Sequence, residues 1–319
     1  MKARAAGRRL LLAALLAISL PAAGDDPADC RDVRIGTVGW LDGGAAVSLA
    51  SALLRGLGYE PVVQRFDDAV IFASMKNGDL DAFLEVLVPT MGLTLRPYVL
   101  DDSVELLRRN LAGTKYTLAV NSAGRDLGIA RFDDIRGHGE SLSHEIHGLE
   151  PGSDGNLLIR AMIDENMFGL AGFTLVESSE AQLVESIAAA NREGRAMVFL
   201  AFEPHPMNVR FELTYLAGGD EVFGPRFGGA DVYTGVRSAL LAECPNIARL
   251  LGNVEFTLPM INEVMTAILE LKAAPLVAAV AWIRQQPAVL DPWLEGVETL
   301  DGESGLPAVR RFVGMEGGG

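Results

Sequence analysis

Met197-Val198-Phe199-Leu200-Ala201-Phe202-Glu203-Pro204-His205-Pro206-Met207-Asn208 decides how the rest of the chain is read. Its first half is apolar and rich in strand formers, which predicts a buried strand of an α/β sheet. Pro204 and Pro206 end the ladder and restrict the residues before them. Phe202, Glu203 and His205 are thereby set just past the carboxyl end of a strand, where open α/β sheets bind ligands. Taken alone, Phe202 is as well explained as core, and Glu203 and His205 as loop residues. A recurring pattern of strand, then aromatic or carboxylate, then helix favours the binding reading.

At the amino end, Lys2, Arg4, Arg8 and Arg9 flank an apolar run over 10–20, and Pro21-Ala22-Ala23-Gly24 follows with small residues. This predicts a secretory signal peptide over residues 1–24. The run is too short for a membrane span. A soluble periplasmic protein is expected. Loss of the signal's four basic groups takes the formal net charge from −15 to −19. Such a surface repels nucleic acid and anionic lipid and draws cationic ligands. The remaining 295 of 319 residues suffice for two domains of ordinary size. Cys30 and Cys244, sent to an oxidising compartment, are expected to form one disulfide that brings distant segments together.

Residues 33–40 read as a strand. Leu41-Asp42-Gly43-Gly44 reads as a glycine-rich turn, and Ala46, Leu49, Ala50, Leu53, Leu54 and Leu57 as one face of a helix. Strands over 61–66 and 81–87, with a helix from Asp68, complete a βαβαβ unit and predict a parallel sheet. A second unit has strands over 115–120, 145–149, 173–176 and 213–216, and a helix from Asp154. Ser179 and Gln182 form a capping box for a further helix. A strand over 230–236 and helices over 260–271 and 275–286 follow. The expected architecture is α/β and two-lobed, with crossovers near 110–116 and 217–232 and a ligand cleft between the lobes. Residues 25–112 and 225–319 form the first lobe, and 113–224 the second.

Candidate ligand contacts are Trp40 and Asp42 after the first strand, Glu85 and Leu87 at the end of the third, and Tyr116 at the first crossover. Ser153, Asp154 and Asn156 open a helix whose free N–H groups favour an anion or polar group, and Phe202 and His205 end a strand. Aromatic faces beside a carboxylate hold organic cations. Trp282 and Trp293 read as packing residues. His138, His144, His147 and His205 lack metal-site spacing, so no metal or cofactor is expected. An Asp42/Glu85 acid–base pair would make an enzyme, but no nucleophile elbow or phosphate loop accompanies it.

The landmarks Val38-Gly39-Trp40-x-Asp42, Pro89-Thr90-Met91, 111–116, 150–156, 203–208 and Glu243-Cys244-Pro245-Asn246 resemble the glycine betaine/choline-type substrate-binding proteins of ABC importers, most nearly the choline-binding branch. The resemblance spans essentially the whole mature chain. It implies the two-lobed periplasmic-binding-protein fold and a Cys30–Cys244 bridge. It also implies a monomer that carries one small molecule to an inner-membrane permease and its ATPase. Trp40 and Tyr116 match positions of the aromatic box, and Asp42 matches its polar contact. Leu87 and Phe202 stand where box tryptophans are expected, Ser153 where an asparagine meets the ligand hydroxyl, and Glu85 where choline binders have glycine. Each lost indole removes about 1–2 kcal/mol of cation–π attraction. The expected ligand is therefore an organic cation, betaine-like but other than plain choline. The alternative is an amino acid, polyamine or guanidino compound.

Overall fold

A computed structural model describes residues 26–38, 41–66, 68–88, 91–269 and 271–315. The predicted signal peptide, Trp40, Pro89 and Thr90 lie outside the described residues. The first sheet contains β1 (Asp32–Thr37), β2 (Glu60–Arg65), β3 (Ala82–Val88) and β4 (Val104–Leu111). The second contains β5 (Lys115–Val120), β6 (Glu145–His147), β7 (Thr174–Val176), β8 (Val198–Glu203) and β9 (Thr214–Tyr215). The chain then returns to the first sheet as β10 (Asp231–Arg237). Strand orders are β2-β1-β3-β10-β4 and β7-β6-β8-β5-β9. Each sheet with its helices is one lobe. Among the described residues, no helix is long and apolar enough to cross a membrane.

Helix α1 (Leu41–Gly56) buries every apolar position its spacing predicts, from Ala46 to Leu57. It begins earlier than expected. The glycine-rich stretch 41–44 is its first turn rather than a separate turn, because packing of the downstream face outweighs the poor helix propensity of glycine. Helix α2 (Asp68–Lys76) carries the chain from β2 to β3, and α3 (Gly92–Leu100) leads into β4.

The first sheet is mixed, not parallel. β1 pairs β2 and β3 in parallel, but β10 runs antiparallel to both β3 and β4. Strand β4 escaped sequence reading because it is an edge strand. Its charged Glu105, Arg108 and Arg109 break the apolar alternation that betrays a half-buried strand. The second lobe has its own core, centred on Leu118, Ile146, Phe199 and Ile187.

Cys30 and Cys244 are bonded, with their Cα atoms 5.9 Å apart, and the bridge joins residues 214 positions apart in sequence. Near it, buried Asp81 receives Arg34 Nη2 at 2.6 Å and Arg237 Nε at 2.7 Å, tying β1, β10 and the start of β3. The two crossovers touch. A side chain on Gly228 would strike the Tyr116 carbonyl, and one on Gly229 the Thr114 carbonyl, so only glycine lets the two segments lie this close.

Candidate functional site

Topology points to a candidate site. In the first sheet the chain leaves β1 for β2 on one side, then returns to β3 on the other, so strand order reverses between β1 and β3. In the second it leaves β6 for β7 and returns to β8, so order reverses between β6 and β8. Ligands of open α/β sheets sit outside the carboxyl ends of the strands at such switch points. Both points also adjoin the crossovers. Val88, the last residue of β3, pairs with Asp231, the first after the second crossover. Glu203, the last of β8, pairs with Lys115, the first after the first crossover. The carboxyl ends of β3 and β8 therefore approach the same hinge from opposite lobes.

On the first lobe's side, Glu85 is the central residue of β3, three positions before its carboxyl end rather than at it, and is only 3% exposed. Gly36 of β1 pairs with Phe83 of β3, two positions before Glu85. Leu87 is half-buried, pairs with Val232 and packs into the first lobe's core. Asp42 lies in the first turn of α1.

On the second lobe's side, Tyr116 and Phe202 are directly opposite each other across β5 and β8, with ring centroids 6.4 Å apart. Phe223 stands edge-on to Tyr116 at 6.5 Å. The Tyr116 hydroxyl accepts the Gly155 N–H at 3.0 Å, at the start of the helix Asp154–Asp164. A Cβ on Gly155 would come within 2.6 Å of that hydroxyl and would collide with Leu200. Glycine is thus required for the phenol to reach the helix end.

The predicted residues of this lobe divide into two groups. Tyr116, Phe202 and Ser153 are half-buried and bracket the switch point. Ser153 is the N-cap of its helix, yet its buried Oγ makes no capping bond and has no hydrogen-bond partner among the described residues. Ser179, by contrast, forms the predicted capping box with Gln182. Asn156 and His205 are fastened into the fold. Asn156, 1% exposed, accepts the Leu149 N–H at 2.9 Å and donates to the carbonyls of Leu149 and Glu150. The His205 Nε2 faces Glu180 Oε1 at 2.8 Å, and its Nδ1 accepts the Met207 N–H at 3.1 Å. With both nitrogens occupied, what His205 offers the site is its ring, 4.7 Å from that of Phe202.

Several contacts around these residues went unread in the sequence. Asn208 donates to the carbonyls of Phe202 and His205, and accepts the Tyr215 hydroxyl at 2.8 Å. Burial is the main force pushing the Tyr215 hydroxyl's pKa far up, so it stays a donor. Glu203 is ion-paired with Lys115 instead of facing solvent. The Glu150 carboxylate accepts the Glu180 N–H at 2.9 Å, linking the loop after β6 to the helix Glu180–Glu193. The peptide bond between Glu203 and Pro204 is cis.

Residues 31–285 match the family model described as the substrate-binding domain of ABC-type glycine betaine transport systems. Among solved structures, an ABC-transporter choline-binding protein in complex with choline is 48% identical, with a TM-score of 0.78. That alignment covers 91% of this chain and all of the other. The "Uncharacterized protein ORF1" of Chromohalobacter salexigens is 40% identical over 130 residues, 41% of this chain and 84% of that protein. A glycine betaine/carnitine transport binding protein of Listeria monocytogenes is 27% identical over 175 residues, 55% of this chain and 57% of that protein.

Proposed function

The chain belongs to the family of substrate-binding domains of ABC-type glycine betaine transport systems, and on that premise we propose that it captures a small organic cation other than plain choline. The observation that carries this reading is Glu85, a carboxylate 3% exposed in the middle of β3, one of the two strands that flank the first sheet's switch point. A buried carboxylate favours a cation over an anion. It also accepts N–H bonds that a trimethylammonium group cannot supply. Tyr116 and Phe202 offer aromatic faces to the same cation from the other lobe, and Trp40 and Asp42, which follow β1 in sequence, are read as completing the set. Leu87, smaller than an indole, leaves room for a bulkier or more aliphatic substituent. Ser153 Oγ, buried without a hydrogen-bond partner among the described residues, is read as meeting a hydroxyl or carboxylate at the helix end.

Closure is by rotation of the lobes 25–112 with 225–319 and 113–224 about the crossovers near Gly113 and Gly229. The protein works in the periplasm after loss of residues 1–24, as a monomer. It releases its ligand unchanged to a membrane permease driven by an ATPase.

A thermal-shift screen of quaternary amines, betaines, polyamines, guanidines and amino acids identifies the ligand, because a compound that binds only the folded state raises the melting temperature. Calorimetry of Glu85→Gln and Trp40→Ala then tests the site. Glu85→Gln is expected to weaken binding about tenfold or more, as loss of a charge-assisted contact does. Unchanged affinity in Glu85→Gln, with binding abolished in Trp40→Ala, would return the site to an ordinary aromatic box. Chemical turnover of the ligand by the purified protein would overturn the transport role.

A further inference from the structure

The backbone around Glu85 is irregular, and the irregularity is held from two strands away. Tyr233 of β10 pairs with Val86, and Gly235 pairs with Phe83. Between those pairs β3 places two residues, Leu84 and Glu85, against the single Thr234 of β10. On its other edge β10 meets two further irregularities, at Asn110 and at Leu107 of β4. Val232 pairs with Leu111 and Tyr233 with Arg109, so Asn110 of β4 is extra. Such bulges free ladder groups and re-aim side chains.

Asn110 joins its own bulge to that of β3. It is 1% exposed, and its amide nitrogen donates to the Leu84 carbonyl at 2.9 Å and to Thr234 Oγ1 at 2.9 Å. The bond to Leu84 crosses over β10, because β10 lies between β3 and β4 in the sheet. The Leu84 carbonyl belongs to the peptide unit that joins Leu84 to Glu85. Fixing that plane fixes the direction in which the Glu85 side chain leaves the backbone. The Asn110 carbonyl accepts the Phe256 N–H at 2.6 Å, which anchors the β4 bulge from outside the sheet. Both amide hydrogens of Asn110 are committed, and Thr234 is itself 1% exposed.

We propose that Asn110 and Thr234 are positioning residues for ligand selection: they hold the bulge that aims Glu85, and so set which cations the protein accepts. This rests on the reading of Glu85 as a ligand contact. Neither residue needs to touch the ligand. A side chain that only stabilised the sheet would alter stability without altering the part of affinity that passes through Glu85.

The test is a double-mutant cycle on the full mature chain, read by calorimetry with the tightest-binding cation of the screen. Asn110→Leu keeps the approximate shape and removes both donors. It is expected to weaken binding about tenfold in the wild-type background and less than about twofold in the Glu85→Gln background. It is also expected to change the rank order of cations in the panel. Equal losses in the two backgrounds would overturn the proposal and leave the Glu85 contact standing. If Glu85→Gln alone leaves affinity unchanged, the site reading fails and this proposal falls with it. Thr234→Val, which removes one acceptor with little change of shape, runs the same cycle if Asn110→Leu does not fold.

Discussion

The Thr114 hydroxyl makes two hydrogen bonds to one residue, donating to the Ala230 carbonyl at 2.7 Å and accepting the Ala230 N–H at 3.0 Å. Thr114 lies in the first crossover and Ala230 in the second, 116 positions apart in sequence. The pair makes the two connections between the lobes behave as one hinge.

Removing this clasp should loosen the hinge without touching either core. Thr114→Val deletes both bonds, and two part-buried hydrogen bonds are worth about 1–3 kcal/mol together. Urea unfolding should show a loss of that order. X-ray scattering should show a larger change in radius of gyration on ligand addition than in the wild type. An unchanged unfolding midpoint would mean that the crossovers are held by other contacts.

Gly155 marks how tightly the aromatic pair is seated. In Gly155→Ala the new methyl meets the Tyr116 hydroxyl at 2.6 Å and runs into Leu200. Overpacking of this kind costs about 1–3 kcal/mol. Because Tyr116 must yield along with Leu200, affinity should fall about tenfold or more while the far-ultraviolet dichroism is retained. Wild-type affinity would show that Tyr116 moves without consequence for binding.

The imidazole of His205 is expected to matter for stability first. His205→Phe keeps an aromatic ring beside Phe202 but strands the Met207 N–H and removes the partner of Glu180 Oε1. A buried donor left unpaired costs about 1–3 kcal/mol. Differential scanning calorimetry should report a lower melting temperature. Since Nδ1 accepts a backbone N–H, nitrogen NMR of the wild type should find the ring proton on Nε2.

Asp81 makes stability depend on acid. Burial alone pushes its carboxyl up, but the hydrogen bonds from Arg34 and Arg237 outweigh burial and hold it below the usual carboxylate value. The unfolded chain therefore takes up this proton at a higher pH than the folded one. Its stabilisation is complete above the ordinary carboxylate pKa near pH 4, and is lost as pH falls through the lowered value. Asp81→Asn should cost about 3 kcal/mol at neutral pH, as loss of one member of a buried ion pair does. It should also flatten the fall in melting temperature below about pH 4. Parallel pH profiles in the two proteins would assign the acid sensitivity to other carboxylates.

Much of this architecture was legible in order along the chain. The apolar spacing of α1, the capping box at Ser179 and the run Val198–Glu203 are local patterns, and a helix or buried strand needs little else to declare itself. The pairing of Cys30 with Cys244 followed from having only two cysteines in a chain whose amino end reads as an export signal. Edge strand β4 and the antiparallel placement of β10 were not legible, since their pairing partners are supplied by remote sequence.

By itself the sequence determined most of the strands and helices, β4 apart, and which aromatic and acidic residues fall in or near the ends of strands. Those properties depend on neighbours within one or two turns of the chain. Only the tertiary structure decided which of those residues remain available. Asn156 and His205, read as ligand contacts, have their polar atoms bonded to Leu149, Glu150, Glu180 and Met207. Asn110, silent in the sequence, reaches the peptide of Glu85 from a strand that is not its neighbour. A hydrogen bond has direction and a reach of about 3 Å, so its partner is set by the packing of whole strands and helices rather than by distance along the chain.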